Sequence, residues 1–167
     1  MSKSRPALLA LVMLSASLLS AGDYEALLGA MRKAWPGRSS VAVVCDANAS
    51  RAALNALTAA ASGMRVLVVD VKGPQDMGKA IGTLSGHKPD AVVLLEGDHV
   101  AGDGSSAASF LIQRMAAQKV PTAATTEAGA KQGAALAIGS GTGGKLLCNA
   151  KVAAVAGVPV PAGATSL

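Results

Sequence analysis

Near the end of the chain, Ala137–Cys148 reads AIGSGTGGKLLC. Gly139, Gly141 and Gly144 form G-x-G-x-x-G, and Gly139, Gly144 and Lys145 form G-x-x-x-x-G-K. In both patterns the glycines let backbone N–H groups approach a phosphate. Neither pattern is complete. A P-loop has Ser or Thr after its lysine to hold Mg²⁺, and here that residue is Leu146. A dinucleotide fingerprint has a further strand and an acid about 20 residues on, but no acid follows Glu127. The stretch also follows the last expected strand instead of the first. Nucleotide binding is therefore not expected, and the glycines are expected to turn the chain into a closing helix.

Glu96, Asp98, His99 and Asp103 cluster in sequence, with His87 nearby, but their spacing matches no metal-ligand pattern. There is no G-x-S-x-G elbow, and neither histidine is sequence-linked to a nucleophile. Cys45 lies inside an apolar run, where a thiol is inert. No enzyme activity, metal or cofactor is expected. Asn48 and Ser50 stand where a helix begins, so they either hold a carboxylate or phosphate or simply cap that helix.

The elements that carry these residues begin after an expected export signal, residues 1–22. Lys3 and Arg5 precede a mostly apolar core, Ala7 to Leu19, and Ser20-Ala21-Gly22 supplies small residues for cleavage. That core is shorter than the roughly 20 apolar residues of a membrane span, so no stable membrane anchor is expected. The processed protein is expected to be periplasmic. Removing 22 of 167 residues leaves 145, enough for one domain with a sizeable core. Losing Lys3 and Arg5 lowers the net charge from +5 to +3. That mild charge, with only Tyr24, Trp35 and Phe110 as aromatics, argues against nucleic acid. Cys45 and Cys148 are compatible with either one disulfide or two buried thiols.

Tyr24, Leu27, Leu28, Met31 and Trp35 share one helical stripe, expected as an N-terminal helix and turn over 23–38. SVAVVCD, RVLVVDV, DAVVLLEG, VPTAATT and AALAIG read as five strands. NASRAALNALTAAASGM, PQDMGKAIGTLSGH and SSAASFLIQRMAAQ read as helices between them, and GKLLCNAKVAAVAG as a closing helix. This alternation implies a single three-layer α/β/α domain over 39–161 with a mostly parallel five-stranded sheet, followed by a tail at 162–167. In such a sheet ligands bind beyond the carboxyl ends of the strands. Those ends carry Asp46, Asn48 and Ser50; Asp70; Glu96, Asp98 and His99; and Thr125, Thr126 and Glu127.

Taken in order, SVAVVCDANASRAALNALTAAASGMRVLVVDV, KPDAVVLLEGDHV, FLIQRMAAQKVPTAATTEAGAKQGAALAIG and VAGVPVP resemble the second lobe of ABC-transporter substrate-binding proteins. These are of the type 1 periplasmic-binding-protein kind, with a flavodoxin-like lobe. The resemblance covers Ser40 to Pro161. It implies ligand contacts at Asn48, Ser50, Asp98 and Thr125, with Asp98 pairing a ligand cation. It further implies a small polar solute such as an amino acid and an ABC permease as partner. Where the family has an acid and a tyrosine after its G-A-L strand, this chain has GSGTGG. A ligand-free interaction domain, docking a partner protein through the Tyr24–Trp35 helix or the strand rim, is the alternative. A two-fold homodimer covering the strand ends is a further expectation.

Overall fold

Every residue of β1 (Ser40–Cys45) is buried, so this strand occupies the interior of the sheet. Its side chains alternate between two cores, as a pleated strand requires. Val41, Val43 and Cys45 enter the first core, and Ala42 and Val44 the second. The computed structural model describes the backbone of residues 7–167 and the side chains from residue 21 onward. The expected export signal therefore lies outside the described residues at 1–6 and outside the described side chains up to residue 20.

Helix α1 (Ala7–Ala34) precedes β1. Then come α2 (Arg51–Ala60), β2 (Arg65–Asp70), a short 3-10 turn (Pro74–Asp76), α3 (Met77–His87) and β3 (Ala91–Val93). The second half holds α4 (Ser106–Ala117), β4 (Thr122–Thr126), α5 (Glu127–Gln132) and β5 (Leu136–Gly141). It closes with β6 (Leu147–Cys148), α6 (Ala150–Ala156) and β7 (Thr165–Ser166). The strand order is β2-β1-β3-β4-β5-β6-β7, and the first five strands run parallel. The α/β reading holds, with an architecture in which helices cover both faces of one mostly parallel sheet.

The strand count is seven instead of five. β6 pairs antiparallel with β5, and β7 parallel with β6. The expected closing helix thus splits: Leu147 and Cys148 are strand, and the helix starts only at Ala150. Asn149 sets that start, because its side chain accepts from Val152 N and satisfies a donor the first helical turn leaves over. The glycine-rich stretch is the turn between β5 and β6. Thr142 Oγ1 closes it by donating to carbonyl oxygens of the turn and accepting from Gly139 N at 3.2 Å. Gly143 and Gly144 adopt φ of +63° and +74°, which favour glycine. The turn leads into a strand, not a helix, so no helix N-terminus is aimed at a phosphate.

The stripe Tyr24, Leu27, Leu28, Met31 and Trp35 is buried in the first core with β1 and with Leu57 of α2. It is therefore covered by its own sheet, so a partner could meet only the opposite side of this helix. Met77 and Leu84 of α3 and Leu111, Ile112 and Met115 of α4 fill the second core on the opposite face. Cys45 and Cys148 are both buried free thiols, so the disulfide alternative is not realised.

Candidate functional site

The chain passes from β1 to β2 on one side, then crosses to β3 on the other side of β1. This reversal lies between β1 and β3, and the region beyond the carboxyl ends of such strands, here called the crevice, is where ligands bind in open α/β sheets. Asp46 follows β1 there and Asp98 follows β3.

Asp98 is 6% exposed, and both of its oxygens are occupied. Oδ2 accepts from Asp46 N at 3.0 Å and from Ser50 Oγ at 2.5 Å. Oδ1 accepts from Val100 N at 3.0 Å and Ala101 N at 2.7 Å. The carboxylate thus fastens the turn after β1 to the loop after β3. Ser50, also buried, contributes its hydroxyl to this clasp.

The turn after β1 is held by two more carboxylates. Asp46 Oδ1 accepts from Asn48 N at 3.0 Å and Ala49 N at 3.3 Å, while Asp70 Oδ1 accepts from Ala47 N at 3.0 Å. Lys72 Nζ bridges the pair, 2.8 Å from Asp46 and 2.9 Å from Asp70. Its ammonium, followed by these backbone donors, holds both carboxyls below the usual carboxylate range. The two carboxylates raise the lysine in return. His99 Nε2 lies 3.8 Å from Asp46 Oδ2. Asn48 projects from the turn, exposed, with its Oδ1 3.3 Å from Arg51 Nη2.

Beside this crevice, Thr125 at the end of β4 is buried and donates through Oγ1 to Glu96 Oε2 at 3.2 Å. Glu96 itself is exposed, and its N–H donates to Tyr24 Oη at 3.3 Å. Burial, followed by the nearby carboxylates, pushes the Tyr24 phenol up, so it stays neutral. Thr126 Oγ1 donates to Asp103 and accepts from Gly129 N, capping α5. Asp23 on α1 accepts from Ser140 N at 2.8 Å, tying that helix to the end of β5. A side chain at Gly139 has no room there, since its Cβ would stand 2.7 Å from Thr125 O.

Of the four expected contact residues, Ser50 and Asp98 meet directly and Asn48 stands on the same turn. Thr125 belongs to the neighbouring Glu96 group. The reading of the chain missed Lys72 and Tyr24. A lysine two residues past a strand-end acid was the available signal for the first; nothing local marks the second. Seven of the ten acids lie at this end of the sheet: Asp23, Asp46, Asp70, Glu96, Asp98, Asp103 and Glu127. Among the described residues, no group of three or more potential ligands stands together to hold a metal ion. Cys45 is buried with its thiol pushed up to about 12, chiefly by that burial, so it is not a nucleophile at neutral pH.

The fold is similar to that of CD0873, a substrate-binding protein with adhesive properties from Clostridium difficile, in its ligand-free, open structure. The TM-score is 0.65 at 14% identity, covering 84% of this chain and 58% of that one. It is also similar to ureidoglycine-glyoxylate aminotransferase from Bacillus subtilis, at a TM-score of 0.54 and 13% identity. That match covers 83% of this chain and 39% of the enzyme. The chain therefore spans less than two thirds of either neighbour. No family model matches it, and no curated protein matches its sequence. The class the fold defines is an α/β domain built on one mostly parallel sheet, an architecture present in parts of both neighbours.

Proposed function

We propose that the chain is an exported, non-enzymatic solute-binding lobe that takes a small ammonium-bearing solute, such as an amino acid, in association with an ABC transporter. The observation that carries this reading is the acidic crevice at the chain reversal between β1 and β3, where Glu96 remains exposed while Thr125 holds one of its oxygens. A carboxylate oriented in this way meets a ligand ammonium without first having to be ordered. Asn48 stands exposed on the β1 turn that the Asp98 clasp holds. Asp98 and Ser50 act as positioning residues, because their clasp fixes that turn relative to the loop carrying Glu96. The likeness in fold to a substrate-binding protein supports the binding role.

A thermal-shift screen at millimolar concentration, comparing amines and amino acids with carboxylic acids of matched size, tests this reading. Stabilisation by the ammonium-bearing compounds that is lost in Glu96→Gln is the expected outcome. No response to any compound counts against it.

One observation favours a second reading, a protein-interaction lobe that binds no solute. The N–H groups of Ala47, Asn48 and Ala49, which in a binding turn receive a ligand carboxylate, already donate to Asp46 and Asp70. Recovery of one stoichiometric partner from periplasmic extract, together with a blank solute screen, is the result this reading requires.

A further inference from the structure

The exposed side of α1 borders a groove of about 590 Å³ whose lining includes none of Asn48, Glu96, Asp98 or Thr125. Ala26, Gly29 and Ala30 form its helical wall, and half-buried Ile138, Leu146 and Pro161 face them. The floor is apolar and the helix wall nearly lacks side chains, so a second rod-like element can approach the α1 backbone closely. Gly29 has open space around it: a Cβ there would meet nothing within 4 Å.

The charges on the groove identify the occupant. Glu25 and Lys33 both line it and are both exposed. Among the described residues neither takes part in an ion pair. They stand eight residues apart, about 12 Å along a helix rising 1.5 Å per residue, with Gly29 midway. A two-fold axis through Gly29 would set α1 antiparallel to its own copy. Glu25 of each chain then faces Lys33 of the other, and the small residues meet at the crossing. The pattern is self-complementary in charge, in direction and in shape, as an interface using the same patch on both chains requires.

We infer that α1 and its flanking groove are a homodimer interface, occupied by α1 of a second copy in antiparallel orientation. The strand-end face does not suit this role: a two-fold there brings acid against acid and closes the crevice. Antiparallel α1 packing instead points the two crevices in opposite directions and leaves both open. The inference is independent of what the crevice binds.

Sedimentation over a hundredfold concentration range tests it, using both the full chain in mild detergent and the chain from Asp23 onward, which keeps every described buried residue. The expected result is a concentration-dependent dimer. Glu25→Lys or Lys33→Glu alone places like charges across both contacts and weakens the dimer at least tenfold. The double reversal restores it. Gly29→Arg blocks the crossing while the monomer keeps the parent's far-UV circular dichroism, since a Cβ at this position meets nothing within 4 Å. A constant monomer mass overturns the inference. So does a dimer indifferent to Gly29→Arg, or a double reversal that stays as weak as the single variants.

Discussion

Ser50 Oγ donates to Asp98 Oδ2 at 2.5 Å, joining the start of α2 to the loop after β3 across the point where the chain reverses. Asp98 also accepts from three backbone N–H groups, so its removal orphans four donors together. Asp98→Ala is expected to cost about 3 kcal/mol, since each buried unsatisfied donor costs on the order of 1–3 kcal/mol and some will find water. For a domain of this size that lowers the melting temperature by roughly 6–12 °C. Asp98→Asn turns one acceptor into a donor and recovers only part of the loss. Calorimetry checks this, and an unchanged melting temperature in Asp98→Ala contradicts the clasp.

Acid sensitivity follows from the strand-end and strand-start carboxylates. Burial pushes Asp90 up, but the Ser40 hydroxyl, the N–H groups of Ser39 and Ser40 and the Arg38 charge outweigh it, and the net shift is downward. Asp46 and Asp70 are lowered mainly by Lys72. A depressed folded-state value means that the unfolded chain binds the proton more tightly. The stabilisation is complete above the ordinary carboxylate value of 3.8 and is lost as pH falls through the lower folded values. Thermal melts from pH 7 to pH 2 should decline below about pH 4. Asp90→Asn should lower the neutral plateau and flatten the acid limb. An acid limb as steep in that variant as in the parent contradicts the assignment.

The two thiols should be silent in the native protein. Burial pushes Cys45 up to about 12, reinforced by Asp98, Asp70 and Asp46, and burial also raises Cys148. Neither is paired. With an aromatic disulfide reagent at pH 8, no thiol should titrate rapidly in the folded chain, and both should titrate in denaturant. A fast native reaction, or a mass two protons short, contradicts this.

Helix α1 belongs to the core by its energetics as well as by its packing. Leu28 is fully buried against the sheet, whereas Phe110 is 40% exposed. Leu28→Ala is expected to cost about 3 kcal/mol through lost transfer energy and the cavity left behind. Phe110→Ala should cost under about 1 kcal/mol, mostly its stacking under the Arg114 guanidinium. Denaturant unfolding of the two variants compares them directly, and equal costs contradict the packing.

Strands β1 and β3 were legible as apolar runs between turn residues, the composition a strand buried on both faces needs, while the exposed edge strand β2 was legible from its β-branched RVLVVD run. The two-residue strands β6 and β7 were not. Two residues carry no periodicity, and the apolar Leu146, Leu147 and Cys148 continue smoothly into a helical pattern. Asn149, a strong cap residue, was the one local mark of where that helix starts. The crevice was legible as a set of strand-end acids, but not in its internal bonding. Sequence places Asp98 after a strand; it does not reveal that Val100 N and Ala101 N fold back onto it, or that Lys72 spans Asp46 and Asp70. The Lys72–Asp46 contact depends on strand order, which local pattern leaves open, and the Asp98 bonds are a local turn that any Asp in a loop can make or not.

Amide chemical-shift mapping during titration with ammonium-bearing solutes tests the binding role most directly. The expected result is a saturable set of shifts centred on Asn48, Glu96, His99 and Thr125, absent with carboxylates that lack an amine and lost in Glu96→Gln. Saturable shifts elsewhere on the sheet, or none at millimolar solute, would contradict a cation-binding crevice between β1 and β3.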